Sequence, residues 1–238
     1  MARYTLIVGT RNWSSWSLRP FLALAATGAP FETVDIRLRQ KEAPTTREQI
    51  LKYSPAGKVP VLKIEEPASI SEAVGHQKSG KTLTVWDSLA ICETVAERHP
   101  ETGLWPADPG ARATARSYSC EMHSGFPDVR EQLTMDFVRK KPLPDLREDT
   151  QKQVDRIIAA WEDALSTYKG DYLFGKFSVA DCMYAPVASR FDTYGVSLPA
   201  ASRAYMERIL ALPAMAEWRK VSQAEVDAGL PATMPPPK

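Results

Sequence analysis

The chain has 238 residues, of which 44% are hydrophobic, 9% aromatic and 25% charged. That is long enough to bury a core without disulfide or metal staples, and too apolar to be disordered as a whole. Thirty basic residues against 29 acidic ones leave a net charge of +1, so composition gives no reason to expect nucleic acid or an acidic membrane surface as partner.

Cys92, Cys120 and Cys182 are far apart and form no CxxC pair. This excludes a disulfide framework and a cysteine-based metal cluster, and it suits a reducing compartment. The opening MARYTLIVGTRNW has no basic region followed by a long apolar run, and no stretch of about 18 apolar residues occurs anywhere. The expectation is a soluble, cytoplasmic protein.

Tyr4–Val8 is rich in β-branched and aromatic residues and predicts a strand. After the polar and aromatic stretch Gly9–Ser17, the helical recurrence of Leu18, Phe21, Leu22 and Ala25 predicts a helix from Leu18 to about Thr27. Pro20 is expected in its first turn and Gly28 at its end. Phe31–Arg37 predicts a second strand, Arg47–Tyr53 a short helix and Val59–Glu65 a third strand.

Residues 67–80 carry Pro, Ser, Gly and Lys without pattern and predict an exposed loop. Leu83–Trp86 predicts a fourth strand, and Asp87 or Ser88 opens a helix to about Arg98. The first hundred residues thus predict a small α/β domain. The turn chemistry of Trp105–Gly110 places a linker at 101–110. An all-helical domain is expected over 111–230, with helices at 111–140, 149–168, 179–193, 201–211 and 214–224. The four prolines of Pro231–Lys238 predict a loosely held tail.

Four groups of residues can carry chemistry. Ser14, Ser15 and Ser17 precede the first helix; they can cap its free N–H groups, or that helix start can bind an anion. The three histidines, His76, His99 and His123, stand in no motif pointing at a serine, so a nucleophilic triad is not expected. Pro60 in Ser54–Leu62 opens a strand. A trans bond makes it a plain strand entry, whereas a cis bond would leave the Val59 backbone free to pair with an extended peptide.

Trp86-Asp87-Ser88 starts the third helix, either as a cap or as a site reading the ammonium and carboxylate of an α-amino acid. Ser178-Val-Ala-Asp181 has the spacing of a capping box before an apolar helix, with Val179, Ala180 and Met183 expected in the core.

In this order, the serine-rich turn, the Val-Pro strand entry, the acid-Ser helix start and the later Ser-x-x-Asp box resemble the cytosolic glutathione S-transferases, over about residues 4–224. The run Trp13-Ser14-Ser15-Trp16-Ser17-Leu18-Arg19 is similar to the Ser-Ser-Cys-x-x-Arg stretch of the zeta class, which includes maleylacetoacetate isomerases; Trp16 stands where that motif has Cys.

The resemblance implies a thioredoxin-like domain over 1–100, with a mixed four-stranded sheet, followed by a helical bundle. Glutathione would be the co-substrate, with no metal. Ser14 would steady its thiolate, with Ser15 as the alternative, and Ser17 joins the glutathione contacts. Val59, next to a cis Pro60, would pair with the cysteinyl backbone. Asp87 and Ser88 would hold the γ-glutamyl head, and Lys58 the glycine carboxylate.

Trp16, Tyr118, Met122, His123 and Phe126 would line the site of a small apolar electrophile, with Pro127 kinking the long helix that carries most of them. The activity implied is glutathione conjugation of the kind used in detoxification. The alternatives are a zeta-type cis–trans isomerase and a non-catalytic binding module. A homodimer is the assembly implied.

Overall fold

The computed structural model describes residues 2–66, 82–232 and 234; the loop expected at 67–80 and most of the proline-rich tail lie outside the described residues. Four strands form one mixed sheet in the order β2–β1–β3–β4: β1 (Arg3–Gly9), β2 (Phe31–Ile36), β3 (Val61–Glu65) and β4 (Thr82–Trp86). β1 and β2 are parallel, with Leu6 beside Thr33. β3 is antiparallel to both of its neighbours, with Leu62 beside Leu6 and Val61 beside Trp86. The C-terminal ends of β1, β2 and β4 therefore share one end of the sheet with the start of β3.

The alternation of each strand decides what covers it. Leu6, Val8, Leu62 and Ile64 face the main core, against α1 (Ser15–Thr27) and α3 (Ser88–Arg98). Ile7 and Val61 face the other way and join Ile36 and Ile50 in a small core under α2 (Thr46–Leu51). A 3₁₀ turn at Pro100–Thr102 leads to the helical part: α4 (Pro109–Ser124), α5 (Pro127–Gln132), α6 (Glu148–Tyr168), α7 (Val179–Tyr194), α8 (Ala200–Leu210) and α9 (Pro213–Asp227). α7 is buried along its length and packs on α1, α4 and α8. The Trp161 ring of α6 meets Tyr184, Phe191 and Tyr205 at 6.0, 5.5 and 4.9 Å. The main core runs without a break from the sheet through both halves of the chain.

Two helices differ from expectation. α1 starts at Ser15, not Leu18, because Ser14 is the N-cap and Ser15, Trp16 and Ser17 make a first turn without apolar periodicity. Pro20 consequently sits inside the helix rather than in its first turn, where its missing N–H gives up the bond to the Trp16 carbonyl.

The single helix expected over 111–140 is instead α4, α5 and an irregular stretch to Arg147. Pro127 does not kink a continuous helix. The chain breaks at Gly125–Phe126, where Phe126 adopts φ 60° and Pro127 starts α5. Arg130 then caps the end of α4, donating to the carbonyls of Met122 and Gly125. Among the described residues no helix is long and apolar enough to cross a membrane, and no group of three or more His, Cys, Asp or Glu could hold a metal ion.

Candidate active site

The strand ends open onto a cleft of about 1120 Å³. Of the expected residues, Ser14, Trp16, Lys58, Val59, Pro60, Asp87 and Ser88 line it together, although they come from three separate stretches of chain. The Val59–Pro60 peptide is cis, as the resemblance implied. The β3 ladder begins at Val61, so Val59 lies outside it.

Ser14 caps α1, accepting from Ser17 N–H at 3.4 Å. The Ser14 and Ser17 hydroxyls are 2.7 Å apart, and Ser17 Oγ also accepts the Gly9 N–H at 3.1 Å. Ser17 is completely buried and is not among the residues lining the cleft; its hydroxyl anchors Ser14. Ser15 starts the helix with its hydroxyl 3.5 Å from Arg190 Nη2 and is not among the cleft residues.

Asp87 caps α3 at φ 76°, accepting from Leu89 and Ala90 N–H at 2.9 and 3.4 Å. Its second oxygen is 3.3 Å from His123 Nε2 of α4. Burial pushes His123 below the usual 6.5, against the raising pull of Asp87 and together with the repulsion of Arg19 and Arg130.

The loop carrying Ser14 is fixed by the helical half. Arg11 and Asn12 N–H donate to the Glu225 carboxylate of α9 at 2.8 and 2.9 Å. Trp218 Nε1 donates to the Arg11 carbonyl at 2.9 Å. Asn12 donates from its side chain to the buried Asp136 at 2.8 Å and accepts from Phe137 and Val138 N–H. The Arg11 guanidinium pairs with Asp35 at 2.7 Å and lies over the Phe21 and Trp218 rings. With each N–H and C=O of the loop so engaged, Ser14 has little freedom to move.

The residues expected to form an apolar wall lie apart from the cleft. Tyr118 points away from the cleft, donating to Asp163 at 2.7 Å and packing on Phe174; burial and the Asp163 bond raise its pKa to about 12. Met122 and Phe126 are core residues. None of the three lines the cleft.

The ring of Trp16 is instead attended by two guanidinium groups, Arg19 at 4.5 Å and Arg130 at 5.0 Å, with His123 edge-on at 5.2 Å. Arg19 is fully buried and reaches Ser88 Oγ at 3.5 Å, while its Nε and Nη2 have no partner. Burial first, then repulsion from Arg130, lowers its pKa to about 9. Arg190 is lowered to about 9 in the same way and is held by the carbonyls of Leu133 and Arg130. Cys92 next to this cluster is no nucleophile, since burial holds its thiol at about 12.

Three neighbouring arginines, two of them buried, thus set up a positive field around Trp16, though none of them lines the cleft. Sequence reasoning assigned them no role. Arg19 stands in the motif that carried the resemblance, which was its signal; Arg130 and Arg190 had none.

Two family models match the chain: the N-terminal domain of glutathione S-transferase over residues 13–98 and its C-terminal domain over 144–220. A probable maleylacetoacetate isomerase of Caenorhabditis elegans is 30% identical over 186 residues, covering 76% of this chain and 77% of that protein. A maleylacetoacetate isomerase of Anaeromyxobacter dehalogenans, solved with glutathione in its active site, is 26% identical with a TM-score of 0.62, over 91% of this chain and 94% of that one. A glutathione transferase Omega 2S of Trametes versicolor shares the fold with a TM-score of 0.68 at 21% identity, over 96% of this chain and 98% of that one.

Proposed function

The chain belongs to the glutathione S-transferase family, and from that premise we propose that it binds glutathione across the strand ends and delivers the thiolate to a small electrophile. The observation that carries this is Ser14: a hydroxyl at the start of a 13-residue helix, opening on the same cleft as Val59 and Ser88. A free thiol titrates at about 8.5, so little is ionised at neutral pH. The Ser14 hydroxyl donates to Ser17 Oγ, which also accepts from Gly9 N–H, and turning the Ser14 proton to the sulfur exchanges that bond for one to the thiolate. That bond and the positive helix end both favour the thiolate.

The dimensions of the sheet support a pose. The loops after β2 and β4 lie three strand spacings apart, about 14 Å. An extended three-residue chain spans about 11 Å, and the γ linkage lengthens it. The γ-glutamyl ammonium and carboxylate sit at Asp87 and Ser88, the cysteinyl backbone at Val59, and the glycine carboxylate by Lys58. In conjugation the sulfur lone pair forms a C–S bond as the leaving group departs with its own electron pair.

A second reading is favoured by the arginines. Arg19 and Arg130 put positive charge against the ring of Trp16, which lines the cleft, and Arg190 adds to it from behind; that field suits an electrophile bearing an acid group. This supports the cis–trans isomerase alternative, in which the thiolate adds to a double bond, the new single bond rotates and the thiolate is expelled. The corresponding Cys is Trp16 here, so an isomerase would work without that thiol.

Retention on immobilised glutathione, then assays with a generic aromatic halide and with maleylacetone, separates the readings. Turnover of the halide supports the transferase and turnover of maleylacetone the isomerase. Retention without either leaves a binding module.

The proposal also includes residues 1–100 as the glutathione-binding domain, 101–110 as linker and 111–230 as the helical domain. It further includes a cytoplasmic location, a detoxifying role and a two-fold homodimer. Leu83 and Trp86, exposed on edge strand β4, are apolar surface that a partner would cover.

A further inference from the structure

Four cations gather at one end of the cleft: Arg39 and Lys41 from the loop after β2, Arg47 from α2, and Lys58. The loop is pinned on the start of α2 by Gln40 N–H donating to Thr46 Oγ1 at 2.9 Å and Thr46 N–H donating to the Gln40 carbonyl at 3.3 Å. The Arg47 guanidinium lies on Gly57, whose φ of +61° favours glycine. A Cβ there would come within 2.6 Å of Arg47 Nη1, so that contact places Arg47 next to Lys58. The nearby Glu48 accepts from Thr45 N–H at 2.8 Å and keeps its negative charge. No ion pair among the described residues engages any of the four cations, and the one carboxylate lining the cleft, Asp87, follows β4 at the opposite edge of the sheet.

This inference rests on the glutathione pose above. Glutathione presents one carboxylate to this end, and with Glu48 also counted two positive charges are left unmatched. We infer that the cleft is built for a γ-glutamylcysteinyl thiol whose C-terminal end carries more than one acid, and that Arg39, Lys41 and Arg47 select it. The charge surplus is local, since the chain as a whole is balanced at +1.

Calorimetric titration of the full chain with γ-Glu-Cys-Gly and with γ-Glu-Cys-Glu tests this. At low salt the acidic peptide should bind about fivefold tighter or more, as expected of one or two added charge pairs in a solvent-open cleft. The advantage should shrink as salt shortens the screening length. The R39Q/R47Q variant, and separately K41Q on an exposed side chain, should reduce the preference; the double variant should bring it near parity.

Equal or weaker binding of γ-Glu-Cys-Glu overturns the inference while leaving the glutathione reading standing. So does a preference that survives R39Q/R47Q. If neither peptide binds the parent chain, the glutathione reading falls and this inference falls with it.

Discussion

Asp181 offers the sharpest test of how the helical half is held. Its carboxylate is fully buried at the start of α7 and accepts from four donors: Leu173 N–H at 3.1 Å, Ser178 N–H at 2.8 Å, the Ser178 hydroxyl at 2.9 Å and the Tyr205 hydroxyl at 3.1 Å. Read as a capping box, the site promises about 0.5–2 kcal/mol. The structure asks more of it, because Asp181→Ala strands two buried backbone N–H groups and two hydroxyls. At about 1–2 kcal/mol for each buried donor the gross loss is about 4–8 kcal/mol.

Against this stands the carboxylate's own burial. It raises the Asp181 pKa from 3.8 to about 6 despite all four bonds, a charge penalty of about 3 kcal/mol at neutral pH that alanine removes. The net expectation is a loss of about 1–5 kcal/mol, or roughly 2–20 °C in melting temperature for a chain of this size.

The pKa shift adds a sign. With its folded pKa above the unfolded one, Asp181 binds its proton more tightly when folded. Its contribution to stability is largest below about pH 4, declines as pH rises to about 6, and is flat above. The deficit of Asp181→Ala, measured by urea unfolding, should therefore be about 1–2 kcal/mol larger at pH 5 than at pH 7. An Asp181→Ala protein that melts like its parent but has lost activity would refute the structural role and move Asp181 into the chemistry.

Ser88→Ala should weaken glutathione binding by about 1–3 kcal/mol, the loss expected of a bond to a charged group; unchanged calorimetric affinity removes Ser88 from the site. Ser17→Ala should leave affinity for S-methylglutathione intact but raise the pH at which bound glutathione shows thiolate absorbance, because Ser14 loses the group that orients it; an unmoved titration breaks the proposed relay. Arg130→Met should lower the rate with acid-bearing electrophiles more than with neutral ones, and equal losses would make the arginine wall structural only. Sedimentation at micromolar concentration should report two chains per particle, and a single-chain mass refutes the dimer.

The order of strands and helices was legible because it rests on local physics. Strand alternation in Tyr4–Val8, the caps at Ser14 and Asp87, and the Ser178–Asp181 spacing all act over a few residues. The cleft residues Ser14, Val59, Pro60, Asp87 and Ser88 were legible through the resemblance, since their motifs are short and keep their order.

What a motif cannot carry is the direction of a side chain. Tyr118, Met122 and Phe126 have the types of a pocket wall, but the break at Gly125–Phe126 and the Asp163 bond turn them into the core. Ser17 has the type of a ligand contact, but its place inside the first turn aims it at Gly9.

The arginine cluster is the clearest case of tertiary decision. Arg19, Arg130 and Arg190 stand on α1, α5 and α7, and only tertiary packing brings their charges together, the first two over the ring of Trp16. Likewise Glu225 grips the Arg11–Asn12 backbone across more than two hundred residues, where no local spacing records the bond. Periodicity and capping are set by neighbours along the chain, so the sequence alone settles them. Which charges meet around Trp16, and which way Tyr118, Met122 and Phe126 face, depend on which distant helices pack together, and only the folded chain settles that.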